Sequence, residues 1–236
     1  MSYQGYYTTG LGLVHIIGDQ PRIADNLQPS YEQALSLGAH RGKIAQLIVA
    51  SDHTKPGHKG VYPAKYNDLC FWDGAVISIS DEKAAIVIQT ADCPALILTD
   101  KTTGKMALVH AGRPALTGVC NVVGNAVHAI LGGYEGAENI EALVVGSICG
   151  HCFKHDQEEA QPLIEYFLKL PEPNQVFADR TAGALDLYQA IRRDLKFHGV
   201  LEENIRHEGP CTRETSGLAS YRRDRTTLRN TIILVA

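Results

Sequence analysis

Between residues 75 and 109 short apolar runs alternate with short polar turns, and this pattern limits the fold more than any other feature of the chain. Ala75–Ile79, Ala84–Gln89, Ala95–Thr99 and Met106–Val109 read as strands, with Asp81-Glu82-Lys83 and residues 100–105 as the turns between them. Ile44–Ala50 precedes them as another buried strand; Ala142–Val145 and Thr231–Ala236 follow. Helices are predicted singly around this core, over 19–37, 118–131, 157–170 and 185–197. Gly38, Gly132-Gly133 and Pro171-Glu172-Pro173 supply stops for the first three. Strands gathered in the centre without regular βαβ alternation predict an α+β fold of packed mixed β-sheets with flanking helices. No repeat or linker interrupts it, so a single domain over residues 1–236 is expected.

A chain of 236 residues with 44% apolar and 20% charged residues can bury a full core. Its formal charge of −4 provides no long basic stripe to neutralise phosphates, which argues against nucleic acid as a partner. The N-terminus lacks a charged-then-apolar layout, and no apolar stretch reaches the roughly 18 residues a membrane span needs. Six cysteines scattered through a chain of this size suit free thiols in a reducing cytoplasm. The expectation is a cytoplasmic protein, a monomer or small homo-oligomer, acting on a small molecule.

The chemistry-bearing residues stand at the ends of the apolar runs. Thr90-Ala91-Asp92-Cys93-Pro94-Ala95 follows one strand, and 17 residues after the cysteine comes His110-Ala111-Gly112-Arg113 after another. Asp52-His53 follows a third, and the Pro- and Gly-bearing loop over 54–72 behind it is a candidate lid. A thiol and an imidazole from neighbouring strand ends make a Cys/His nucleophile pair or two ligands of a soft metal; the bland alternative is a core thiol near an unrelated histidine. Zinc suits His53, Cys93 and His110, with a water in the fourth position. Asp52 and Asp92 are placed to orient an imidazole or shuttle a proton, or else to cap their turns. Copper fits less well, because multicopper oxidases need many more paired histidines. Arg222, Arg223, Arg225 and Arg229 form a basic cluster for a compact anion or an exposed loop.

Other motifs carry less. Cys149-Gly150-His151-Cys152 sits where a thioredoxin-type pair would, but Ile148 replaces the usual aromatic and the chain is far longer than that fold. With no second CxxC, a zinc ribbon is not expected. Pro210-Cys211 lacks the following cysteine of a zinc deaminase, and no HExxH, GxSxG or phosphate-binding loop is present.

Several of these segments, in order, resemble the YfiH/DUF152 family, once described as laccase-like multicopper polyphenol oxidases. Thr90–Pro94 is similar to its T-A-D-C-x-P motif, His110-Ala111-Gly112 to the start of its H-A-G-W-R-G, and Leu185-Asp186-Leu187 to its L-D-L. Cys211-Thr212 resembles its C-T, and Ser220-Tyr221-Arg222-Arg223-Asp224 its S-Y-R-R-D. His53 falls at its Q-V-H-G, and Gly18-Asp19 with Asn26 fits its N-terminal region. The resemblance implies a zinc site of His53, Cys93 and His110. It also implies phosphorolysis of purine nucleosides or deamination of adenosine, with Cys93, His110, His53 and Asp92 catalytic and Arg113, Arg222 and Arg223 holding substrate.

This chain departs from the family pattern at three places. Arg113-Pro114-Ala115 stands for Trp-Arg-Gly, Asp52 and Thr54 flank His53, and Lys154 takes the place of an acid. Two rival readings follow. One is a metal-free Cys93/His110 amidase or deamidase, including peptidoglycan-precursor editing, since the family fold is similar to that of the cytotoxic necrotizing factor deamidases. The other is a metal-binding descendant with a weakened pocket.

Overall fold

The computed structural model describes residues 2–22, 28–47, 60–66, 69–70, 72–116, 121–133, 135–169 and 176–236. The chain opens on a hairpin, β1 (Gln4–Thr8) and β2 (Leu13–Gln20), followed by α1 (Gln28–Ser36) and β3 (Ile44–Leu47). Two short strands, β4 (Val61–Pro63) and β5 (Leu69–Cys70), lead into β6 (Gly74–Ser78), β7 (Ala85–Thr90), β8 (Ala95–Asp100) and β9 (Lys105–His110). Then come α2 (Arg113–Leu116), α3 (Val122–Leu131), β10 (Ile140–Val145), α4 (Gln157–Leu168), β11 (Phe177–Asp179) and β12 (Ala184–Leu185). The chain ends with α5 (Leu187–Phe197), β13 (Ile205–His207), α6 (Tyr221–Asp224) and β14 (Arg229–Val235).

Among the described residues two six-stranded mixed sheets form, ordered β1-β2-β14-β7-β3-β5 and β13-β10-β8-β9-β6-β4. The period-two alternation of strand side chains explains how they stack. Ile86 and Ile88 of β7, Ile232 and Leu234 of β14, Ala95 and Ile97 of β8, and Met106 and Leu108 of β9 fill one core between the sheets. Their neighbours Ala85, Val87, Ile233 and Val235 face a second core shared with Ala34 of α1. Leu96, Leu98, Ala107 and Val109 face a third, packed by Val123, Ala126 and Val127 of α3 and by Ala190 and Ile191 of α5. The result is four layers, helix–sheet–sheet–helix. Strands buried on both faces read as continuous apolar runs, which is why they were legible.

The expected α+β class and central strands agree with this architecture; several boundaries do not. Of the helix expected over 19–37, Gln28–Ser36 is helical among the described residues, whereas Asp19 and Gln20 belong to β2, which pairs with β1 and β14 on its two sides and is held as a strand. The loop expected over 54–72 contains β4, parallel to β6, and β5, parallel to β3. Asp186 accepts a hydrogen bond from the Gln189 N–H and so caps α5, which starts two residues after Leu185. The β1–β2 hairpin, β11, β12, β13 and the short α2 and α6 were not anticipated. Asn26, Asp52, His53 and Thr54 lie outside the described residues. Among the described residues no helix is long and apolar enough to cross a membrane.

Candidate functional site

Residues 91–94 carry the chain from the end of β7 in one sheet to the start of β8 in the other. Asp92 turns it with a φ of 79°, a value an L-residue adopts only when its surroundings hold it there. Three contacts do so. The Ile148 N–H donates to the Asp92 carbonyl at 3.0 Å, the Thr212 hydroxyl to Asp92 Oδ1 at 2.7 Å, and the Arg222 N–H to Oδ2 at 2.7 Å. Both carboxylate oxygens of this buried residue therefore tie the crossing to the C-terminal segment.

The same crossing delivers Cys93. Opposite, Ala95 pairs with His110 at the end of β9, the Ala111 N–H donates to the Pro94 carbonyl, and the His110 N–H donates to the Asp73 carbonyl. Gly112 shows how closely thiol and imidazole approach one another. A Cβ there would fall 2.7 Å from His110 Cε1, 3.1 Å from His110 Nε2 and 3.0 Å from Cys93 Sγ. Both ligand-type atoms thus border one small space that only glycine leaves clear. Burial pushes the Cys93 thiol up to about 11 and the Asp92 charge adds to this; Arg113, through its guanidinium and its N–H on the sulfur, and Arg229 pull it back. β3 runs parallel beside β7, so the two strands end at the same side of the sheet, the side from which the chain reaches Cys93.

Two of the three predicted arginines converge. Arg113 Nη1 and Arg222 Nη2 lie 3.2 and 3.1 Å from the same ring nitrogen, Nδ1 of the buried His155. A guanidinium only donates, so Nδ1 accepts from both and the imidazole carries its proton on Nε2. Arg222 also donates to the Lys154 carbonyl and lies 4.9 Å over the Phe153 ring. Two positive charges are thereby held side by side on one ring nitrogen, and Arg113, whose N–H reaches the Cys93 sulfur, joins them to the crossing. Arg223 is turned elsewhere: its guanidinium donates to the carbonyls of Thr212, Arg213, Thr215 and Leu218 and pairs with Asp224. Ser220 caps the short α6 by accepting from the Arg223 N–H, which sets Arg222 and Arg223 on their separate courses.

Sequence reading missed His155, two residues beyond Phe153 and adjacent to the Lys154 that stands for the family acid. It also missed what surrounds the CxxC. Sγ of Cys149, Cys152 and Cys211 and a carboxylate oxygen of Glu214 lie within 4.8 Å of one another, so this cluster could bind a metal. Burial raises the Cys149 and Cys152 thiols; Cys211 raises both further, Cys149 and Glu214 add to the rise at Cys152, and Cys152 pulls Cys149 back. A second CxxC is indeed missing, as the sequence reading had it. The spacing recurs as Cys211-x-x-Glu214, with a carboxylate in the last place, and this was the available signal.

A family model described as multi-copper polyphenol oxidoreductase laccase matches residues 22–235. The chain is 35% identical over 220 residues to purine nucleoside phosphorylase SCO2081 of Streptomyces coelicolor, covering 84% of this chain and 86% of that protein. It is 33% identical over 148 residues to purine nucleoside phosphorylase ORF3 of Streptomyces griseus, covering 61% of this chain and 56% of that one. Among solved structures, YfiH of Bacillus licheniformis superposes with a TM-score of 0.76 over 99% of both chains at 15% identity. YlmD of Geobacillus stearothermophilus gives 0.77 over 96% and 92% at 17% identity. The Neisseria meningitidis protein NMB0706, of family model DUF152, gives 0.74 over 98% of both chains at 19%. With nearly its whole length matched, this chain belongs to the multi-copper polyphenol oxidoreductase laccase family, the YfiH/DUF152 proteins.

Proposed function

We propose that this protein is a zinc-dependent purine nucleoside phosphorylase, with the metal at Cys93 and His110 and the phosphate at Arg113 and Arg222. Its 35% identity to a protein named for that activity supports an enzyme of this kind acting on a small molecule. The observation that carries the reading is the convergence of Arg113 and Arg222 on His155 Nδ1. Two guanidiniums fixed side by side repel each other, and a phosphate dianion accepting from both relieves that repulsion with charge-assisted hydrogen bonds.

The donors fit zinc. Gly112 leaves one space bordered by a thiol sulfur and an imidazole nitrogen, and His53 is proposed as the third ligand. A zinc ion there would supply Lewis acidity and a water that ionises near neutral pH. The chain's residues bind and orient. Arg113 and Arg222 hold phosphate, and His155, neutral at Nδ1, keeps the two guanidiniums in register. Asp92 fixes the Arg222 backbone and thereby the position of that charge. In the reaction a phosphate oxygen bonds to C1′ of the nucleoside while the bond from C1′ to the purine nitrogen breaks. The base leaves with that electron pair and takes up a proton.

Incubating the purified, zinc-loaded protein with adenosine or inosine, with and without phosphate, tests this. Phosphate-dependent release of adenine or hypoxanthine with ribose 1-phosphate is expected. Base release absent under every condition would overturn the reading. Inosine formed from adenosine without phosphate would instead mark the deaminase reaction.

A further inference from the structure

Two turns, 62 residues apart in sequence, are built alike and face one another. In Cys149-Gly150-His151-Cys152 the N–H groups of Cys152 and Phe153 donate to the Cys149 carbonyl at 3.0 and 3.1 Å. In Cys211-Thr212-Arg213-Glu214 the N–H groups of Glu214 and Thr215 donate to the Cys211 carbonyl at 3.2 and 3.1 Å. Each turn contributes its first and fourth side chains to the cluster.

Backbone amides are already aimed at the sulfurs. The Cys149 N–H donates to Cys211 Sγ at 3.2 Å, and the Cys152 N–H donates to Cys149 Sγ. The first turn is fixed by packing, since a Cβ on Gly150 would fall 2.7 Å from that of Ala178.

We propose that Cys149, Cys152, Cys211 and Glu214 form a closed, four-coordinate structural zinc site, separate from the Cys93–His110 centre. Three thiolates and one carboxylate are a soft, tetrahedral donor set, which selects zinc over magnesium, calcium or manganese. Ligands 2.3 Å from a tetrahedral centre stand roughly 3.7 Å apart, a modest contraction of the cluster as it is. Binding displaces the thiol protons to solvent, and the Arg213 side chain beside Cys152 offsets part of the negative charge.

The ion would fasten the C-terminal segment to the body of the protein. From Cys211 the chain runs to Thr212, whose N–H donates to the Ser147 carbonyl and whose hydroxyl donates to Asp92. Asp92 in turn holds the Arg222 N–H. The site thus stands two residues from the anchor that positions a phosphate-binding arginine.

The test uses the full-length Cys93→Ala/His110→Ala variant, which removes the other centre, with zinc as the probe. One equivalent of zinc is expected by elemental analysis. Replacing it with cobalt should give the intense sulfur-to-cobalt absorption of several thiolates. Peptide mapping after iodoacetamide should find Cys149, Cys152 and Cys211 protected until a chelator is added. Hydrogen exchange at Thr212 and Arg222 should then quicken. These readouts leave the cluster unmutated, so a misfolded ligand variant cannot imitate success. Zinc-free protein, the three thiols alkylated equally with and without zinc, or a Cys149–Cys152 disulfide in both conditions would overturn the proposal. None of these outcomes bears on phosphorolysis.

Discussion

The two sulfur centres of this molecule differ in how they are built, and on the functions proposed for them the difference separates a working site from a fastening. Cys93 and His110 come from a sheet crossing and a strand end, with Gly112 leaving room beside them. Cys149, Cys152, Cys211 and Glu214 come from two matching turns whose four side chains use up the donor positions. Metal sites that do chemistry keep a position open, whereas structural ones are closed. Asp92 is the residue common to both, tied to Ile148 and Thr212 on one side and to Arg222 on the other.

The comparison predicts that damage at the first centre acts on turnover and damage at the second on stability. Cys93→Ala should reduce phosphorolysis by more than about 100-fold, since losing a ligand exceeds the 10–100-fold typical of losing an outer partner. Its thermal midpoint should stay within a few degrees of the parent, measured by calorimetry. Equal loss of stability and activity would erase the distinction.

Gly112→Ala probes the shared space without removing a ligand. Its Cβ would meet His110 and Cys93 at about 3 Å, and relieving that contact costs roughly 1–3 kcal/mol. Activity should fall by at least about 10-fold, with zinc retained at the other centre.

Asp92→Asn tests the link between the two. Removing a charged acceptor from two hydrogen bonds should cost about 2 kcal/mol, or roughly 5 °C in a chain of this size. Affinity for phosphate should weaken together with stability. An unchanged KM would show that Asp92 does not position Arg222.

Arg113→Lys should have a smaller effect. It keeps the charge and loses the planar fork, raising the KM for phosphate about 10-fold while kcat changes little. Arg223→Lys is the counterpart, because that side chain serves the carbonyls of the 212–218 turn. It should lower the thermal midpoint by a few degrees and leave the phosphate KM unaltered.

Much of the fold was legible because doubly buried strands must be apolar throughout: β7, β8, β9 and β10 were all read near their observed bounds. The β1–β2 hairpin was not, since Gln4–Thr8 is an edge strand with exposed polar positions and no apolar run to mark it. α5 was read two residues early, because propensity does not show that Leu185 pairs with Phe177 before Asp186 caps the helix. At the site, Cys93 and His110 were named from strand ends, and Arg113, Arg222 and Arg223 through the family resemblance, which did not show that Arg223 turns away. His155 carried no signal of its own.

By itself the sequence determined the double-sided burial of the central strands, and hence the layered class, because apolar content is a property of each segment alone. It also determined that a thiol and an imidazole stand at strand ends. Only the tertiary structure decided which distant residues meet. It brought two arginines from positions 113 and 222 onto one histidine ring, sent Arg223 away from them, and closed Cys149-x-x-Cys152 against Cys211-x-x-Glu214. The physical reason is that such meetings depend on sheet order and on the Asp92 crossing, which many weak contacts fix together and no local pattern encodes.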